Sequence, residues 1–149
     1  MAQIEAEFIK TGKLRYVVRD FPLEGMHPQA FKASEAAHCA RDQGKYWEMH
    51  HRLFANQRNL GPSELPAHAE AVGLDATAFR QCLDSGKHAA RIRSDLAEGQ
   101  RAGVAGTPTF FLGTMEPGDS TVKVIRVLKG AQPYAAFKAA IDGALSSLR

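Results

Sequence analysis

The stretch "GVAGTPTFFLG", Gly103 to Gly113, decides how this chain is read. A Gly-Thr-Pro turn runs straight into a short apolar strand. Proline has no N–H for a sheet ladder, so it belongs at strand starts, edges or bulges. An X–Pro bond beside a buried strand is also a place where a cis peptide can be locked in. A plain turn before a strand accounts for the same three residues. The tripeptide alone leaves both readings open.

Downstream, "MEPGDS" (Met115–Ser120) reads as a turn and "TVKVIRVLKG" (Thr121–Gly130) as a second strand, close enough for a hairpin. Phe137, Ala140, Ile141, Ala144, Leu145 and Leu148 then fall on one face of an amphipathic helix. Upstream, Ile4, Phe8 and Ile9 have helical spacing, and Thr11-Gly12 stops the run. "KLRYVVRDF" (Lys13–Phe21) reads as a strand with Leu14, Tyr16 and Val18 on one face. Val17 on the other face predicts burial on both sides.

Between these strands the pattern is helical. Pro28 to Gln43 opens with an early proline and carries a small-residue stripe, Ala30, Ala33, Ala37 and Ala40, that lets another helix approach closely. "KYWEMHHRLFANQ" (Lys45–Gln57) follows Gly44. A short helix ends at Gly73, and Asp75 reads as the N-cap of a helix with Phe79, Cys82 and Leu83 inside. A last helix carries Ala89, Ile92 and Leu96 in register and stops at Gly103. Trp47, Phe54 and Phe79 are expected in the core of these helices, and Phe110 and Phe111 on opposite faces of the sheet. The order predicts an α/β fold with a helical insertion: residues 1–24, a helix end and strand; 25–102, the helical insert; 103–149, a strand hairpin and closing helix.

The chain has 149 residues, with 44% hydrophobic, 23% charged and a net charge of +3. Its Lys and Arg are scattered, without the basic stripe of a nucleic-acid binder. No apolar run reaches membrane-spanning length. The charged N-terminus lacks the apolar core of a signal peptide. There are two cysteines, Cys39 and Cys82, and no CxxC.

Together these segments resemble the DsbA-like thioredoxin-fold family of bacterial thiol–disulfide oxidoreductases. The resemblance is carried by Tyr16 to Phe54, by Val72 to Gly113 and by Val127 to Asp142, with Gly-Val-x-Gly-Thr-Pro-Thr-Phe its most specific run. It implies a thioredoxin-like sheet, incomplete at its N-terminus, with an inserted helical domain. It implies that Pro108 is a cis-proline facing a redox site, and that the backbone of Thr107 pairs with an extended polypeptide substrate. It implies a periplasmic or exported protein, although no export signal is present and a complete product of this sequence would be cytoplasmic. No cofactor is implied.

The departure from the family pattern is as informative. A family member carries, ahead of the residue matching Met1, a strand and then CxxC at a helix start, where the nucleophile's pKa is depressed. The expectation is therefore a chain truncated before its CxxC, redox-inactive as given, with no catalytic residue of its own. The absent strand would lie between Tyr16–Val18 and Phe110–Leu112. Buried strand edges are costly, so either those two segments close directly as an antiparallel pair, or a second copy fills the gap in a homodimer.

Cys39 and Cys82 sit on the inner faces of two insert helices. They read either as a structural disulfide or as two buried thiols packing like small hydrophobes; an exported family implies the disulfide. Glu35 with His38, and Glu48 with His51, form two E-x-x-H pairs of the kind found in carboxylate-bridged metal sites. Surface or half-buried polar residues produce the same spacing, and no metal site is assigned. Three readings follow: a truncated oxidoreductase-family chain, a non-catalytic peptide-binding module that keeps the groove beside Pro108, and a helical metal-binding protein.

Overall fold

The computed structural model describes residues 1–116, 118 and 121–148. Its elements are α1 (Ala2–Ile4), continued by a π-helical turn Glu5–Ile9, then α2 (Ala30–Arg41), α3 (Tyr46–Ala55), α4 (Leu65–Ala71), α5 (Ala76–Ser85), α6 (Ala89–Arg101), β1 (Thr109–Thr114), β2 (Lys123–Lys129) and α7 (Tyr134–Ser147). They form two compact units, Met1–Val18 with Val104–Arg149, and Arg19–Gly103.

The first unit is a thioredoxin-like α/β unit. β1 and β2 form an antiparallel pair in which Thr109 faces Lys129, Phe110 faces Leu128 and Thr114 faces Lys123, with a bulge between Leu112 and Gly113. Its core joins Ile4, Phe8 and Ile141, with Leu112, Tyr134, Phe137 and Leu145 packed against them. Phe110 meets Phe137 edge-on, with ring centroids 4.9 Å apart, whereas Phe111 on the opposite face is exposed. On β2, Val124, Ile125 and Val127 are exposed between Lys123, Arg126 and Lys129.

Among the described residues the sheet has two strands only, β1 and β2. Leu14–Val18, expected as a strand, lies outside it. A strand exists where a neighbour supplies its ladder, and among the described residues no segment pairs with Leu14–Val18. Direct closure of Tyr16–Val18 onto Phe110–Leu112 is thereby corrected. So is the two-sided burial expected there, since Val17 is 55% exposed. The turn expected over Met115–Ser120 lies partly outside the described residues.

The second unit is helical. α2 is its centre and packs against α3, α4, α5 and α6. Ala33, Ala36, Ala37 and Ala40 are buried; with only a methyl each, they allow four helices to reach one axis. α5 starts at Asp75, whose side chain accepts from Ala78 N at 2.7 Å, and stops at left-handed Gly86, φ 63°. It buries Phe79 and Leu83, one turn apart. α3 turns Met49 and Leu53 inward. Trp47 and Phe54, expected in the core, are 42% and 63% exposed, because the Met49–Leu53 line faces α2 and leaves them on the outer side.

Candidate functional site

β1 begins at a built turn. The Thr107–Pro108 peptide is cis, and both residues are exposed. Thr109 Oγ1 donates to Gly106 O at 2.7 Å, and Gly130 N donates to Pro108 O at 2.8 Å. These bonds tie the turn to the strand behind it and to the end of β2. β1 pairs with β2 along one edge only. Its other edge, with Thr107 and Pro108 at its head, faces no strand among the described residues. A free strand edge accepts an extended peptide through main-chain hydrogen bonds.

A second cluster lies in the helical unit. Cys39 on α2 and Cys82 on α5 are disulfide-bonded, with Cα atoms 5.8 Å apart. Cys39 is 1% exposed; Cys82 is half-buried. No free cysteine remains, so the unit presents no thiolate for exchange. Around the bond stand two aspartate–histidine pairs: His38 Nε2 with Asp20 Oδ2 at 2.6 Å, and His88 Nε2 with Asp42 Oδ2 at 2.9 Å. The two imidazoles lie 5.5 Å apart, and Lys87 Nζ also reaches Asp42 Oδ2, at 2.8 Å.

Both carboxylates titrate below their ordinary range. Burial pushes Asp20 up, but its interaction with His38, aided by Ser34 and Arg91, outweighs that. For Asp42, burial is outweighed by the bonds from Lys87 and His88. Asp95, also buried, accepts from Arg19 Nε at 2.9 Å and from the Asp20 amide at 3.1 Å. It thereby fixes the backbone that carries Asp20.

Along α3 a series of rings runs over Tyr46, Trp47, His50, His51 and Phe54, with His50 and Phe54 centroids 4.7 Å apart. Burial, reinforced by the charge of His51 and opposed by Asp20, holds His50 below the ordinary imidazole range. The E-x-x-H pairs do not converge. Glu35 pairs with Lys32 at 2.9 Å, and His38 is held by Asp20. Among the described residues, the donors that do come together are Cys39, Cys82 and His88. His88 was missed in the sequence because it carries no motif; the helix-capping position before α6 was the only available signal.

A family model described as Thioredoxin matches residues 1–142. The crystal structure of Wolbachia pipientis alpha-DsbA1 superposes with a TM-score of 0.79 at 24% identity, covering 98% of this chain and 75% of that one. A cysteine-to-alanine double variant of it gives 0.79 at 23%. These likenesses establish a DsbA-like fold. The Na(+)/H(+) antiporter NhaA 1 of Salinispora arenicola is 46% identical over 99 residues, 66% of this chain and 15% of that protein. The NhaA 3 of Salinispora tropica is 44% identical over 99 residues, with the same coverage. The NhaA 1 of Mycolicibacterium vanbaalenii is 41% identical over 101 residues, 66% of this chain and 16% of that protein. The matched stretch is thus about 15% of the length of these curated relatives.

Proposed function

The chain belongs to the thioredoxin family, and we propose that it acts as the substrate-binding part of a thiol–disulfide exchange fold, holding an extended polypeptide along β1 without turning over a dithiol itself. The observation that carries this reading is the edge of β1 opposite β2, headed by exposed Thr107 and Pro108. Main-chain pairing there would bind many sequences, as an acceptor of unfolded chains must. The lack of turnover follows from the cysteines. Catalysed exchange needs an accessible nucleophilic sulfur with a resolving thiol beside it, whereas Cys39 is buried and its bond to Cys82 joins α2 to α5 inside the helical unit. Catalysis would need a thiol pair supplied from elsewhere, and the resemblance to an exported family supports work on the exported side of a bacterial membrane.

A second reading is favoured by the antiporter relatives. In them a stretch 41–46% identical to this chain is a small part of a protein named as a Na(+)/H(+) antiporter. The same peptide-binding module would there be an accessory domain joined to an ion carrier. No helix among the described residues is long and apolar enough to cross a membrane.

The test is a titration of isotope-labelled protein with a reduced, unfolded polypeptide, beside an insulin-reduction assay. Amide shifts at Thr107, Thr109 and Phe111, with no catalysed turnover, are expected. Shifts confined to the helical unit, or none at millimolar ligand, overturn the binding reading; catalysed turnover overturns the inactive one. Sedimentation of the same sample reads whether a second copy takes the edge instead.

A further inference from the structure

The donors around the disulfide form a set that the exchange reading does not use. One ligand atom each from Cys39, Cys82 and His88 lie within 4.8 Å of one another. Asp42 adjoins them, its Oδ2 2.9 Å from His88 Nε2 and 3.9 Å from Cys82 Sγ. In a tetrahedral zinc site, bond lengths of about 2.0–2.3 Å put ligand atoms roughly 3.3–3.8 Å apart. Within 4.8 Å of one another, the three donors need only small shifts to reach that spacing once the covalent bond between the sulfurs is gone.

We propose that reduction of the Cys39–Cys82 bond turns these residues into a binding site for a divalent cation of the zinc class. An external dithiol gives two electrons and two protons; its own disulfide forms, the Cys39–Cys82 bond breaks, and two thiols result. Cation binding then releases both thiol protons. The two states exclude each other, because a disulfide sulfur has no thiolate charge to offer a metal, and a metal-bound thiolate is withdrawn from oxidation.

The positions favour such a site. Cys39 is on α2, Cys82 on α5 and His88 at the start of α6, so three packed elements hold the donors. Cys39 and His88 are buried, while Cys82 is half-buried. Asp42, 2.9 Å from His88 Nε2, fixes the ring and leaves Nδ1 to ligate, the usual role of a carboxylate behind a ligating histidine; water or a further ligand completes the coordination. Two thiolates with one imidazole select zinc or cobalt over magnesium and calcium, which take oxygen ligands.

The experiment reduces the whole chain with a phosphine, removes the reductant without oxygen, and titrates with Co²⁺, followed by displacement with Zn²⁺ against a chromophoric chelator. One equivalent with thiolate-to-cobalt charge-transfer absorption is expected in the reduced chain and none in the oxidised one. Cys39→Ser and Cys82→Ser should each abolish the band. His88→Ala should weaken binding at least about 10-fold, whereas His51→Ala, exposed on α3, should not change it. Equal binding by the oxidised chain, no binding at micromolar Co²⁺, or indifference to His88→Ala overturns the proposal. If helical circular dichroism shows that reduction unfolds the unit, the same His88→Ala comparison decides, because disordered thiols bind metal regardless of His88.

Discussion

His38 on α2 donates from Nε2 to the Asp20 carboxylate at 2.6 Å, and both side chains are nearly enclosed. An ionised carboxylate only accepts, so the contact fixes which imidazole nitrogen carries the proton. Asp20→Ala would leave that N–H buried with no acceptor, at a cost of about 1–3 kcal/mol. Urea unfolding of Asp20→Ala should show the loss, and Asp20→Asn, which keeps an oxygen in place, should recover part of it. An unchanged midpoint in the alanine variant would mean the pair contributes nothing.

Acid should destabilise the protein in two stages. His50 lies below its usual 6.5 and Asp20 below its usual 3.8, so in both cases the unfolded chain binds more protons in the window between the two states. Stability rises with pH wherever that holds. The His50 contribution is complete above about 6.5 and is lost as pH falls through its lower folded value. The Asp20 contribution survives until pH falls below 3.8 and through its own folded value. Melting temperature against pH should show the first stage missing in His50→Gln and the second reduced in Asp20→Asn, with Asp42 supplying the remainder. A profile flat from neutral to pH 4 would contradict the first.

Replacing both cysteines by alanine should lower stability by about 2–4 kcal/mol, since the cross-link closes a long loop in the unfolded chain; the sequence separation is 43. Denaturant midpoints of the oxidised parent and the double variant measure it directly.

Gly113→Ala should damage the hairpin. A Cβ there would collide with the Lys123 backbone oxygen and lie 2.7 Å from Val122 Cγ1, and the backbone cannot swing aside as a side chain can. Overpacking of this kind costs about 1–3 kcal/mol. Faster amide exchange along β1 and β2 should accompany a lower melting temperature, while exchange in the helical unit stays unchanged.

Much of this fold was readable because its signals are local. Asp75 and Gly86 mark the two ends of α5 through backbone hydrogen bonding and left-handed geometry that the residue types themselves announce. The hairpin likewise follows from apolar strands around a turn. Leu14–Val18 was misread because its composition is that of a strand, yet sheet membership belongs to pairs of segments. Trp47 and Phe54 were misplaced for a related reason. Size suggested burial, but Met49 and Leu53 share the face that meets α2, and a ten-residue helix buries one side. Thr107 and Pro108 were conspicuous as a motif. The meeting of Asp20, His38, Asp42 and His88 was not, because only the packing of α2 against α5 and α6 brings such distant positions together.

β2 carries Val124, Ile125 and Val127 in the open, interrupted by Lys123, Arg126 and Lys129. Laid against the same strand of another molecule, these cations would face one another, so repulsion guards an otherwise sticky ribbon. That guard depends on ionic strength, because added salt shortens the reach of charge to about 3 Å at 1 M while leaving the valines and isoleucine as apolar as before. Concentrated salt should therefore drive the folded protein to self-associate through β2, and neutralising Lys123, Arg126 and Lys129 should bring that association on in dilute buffer.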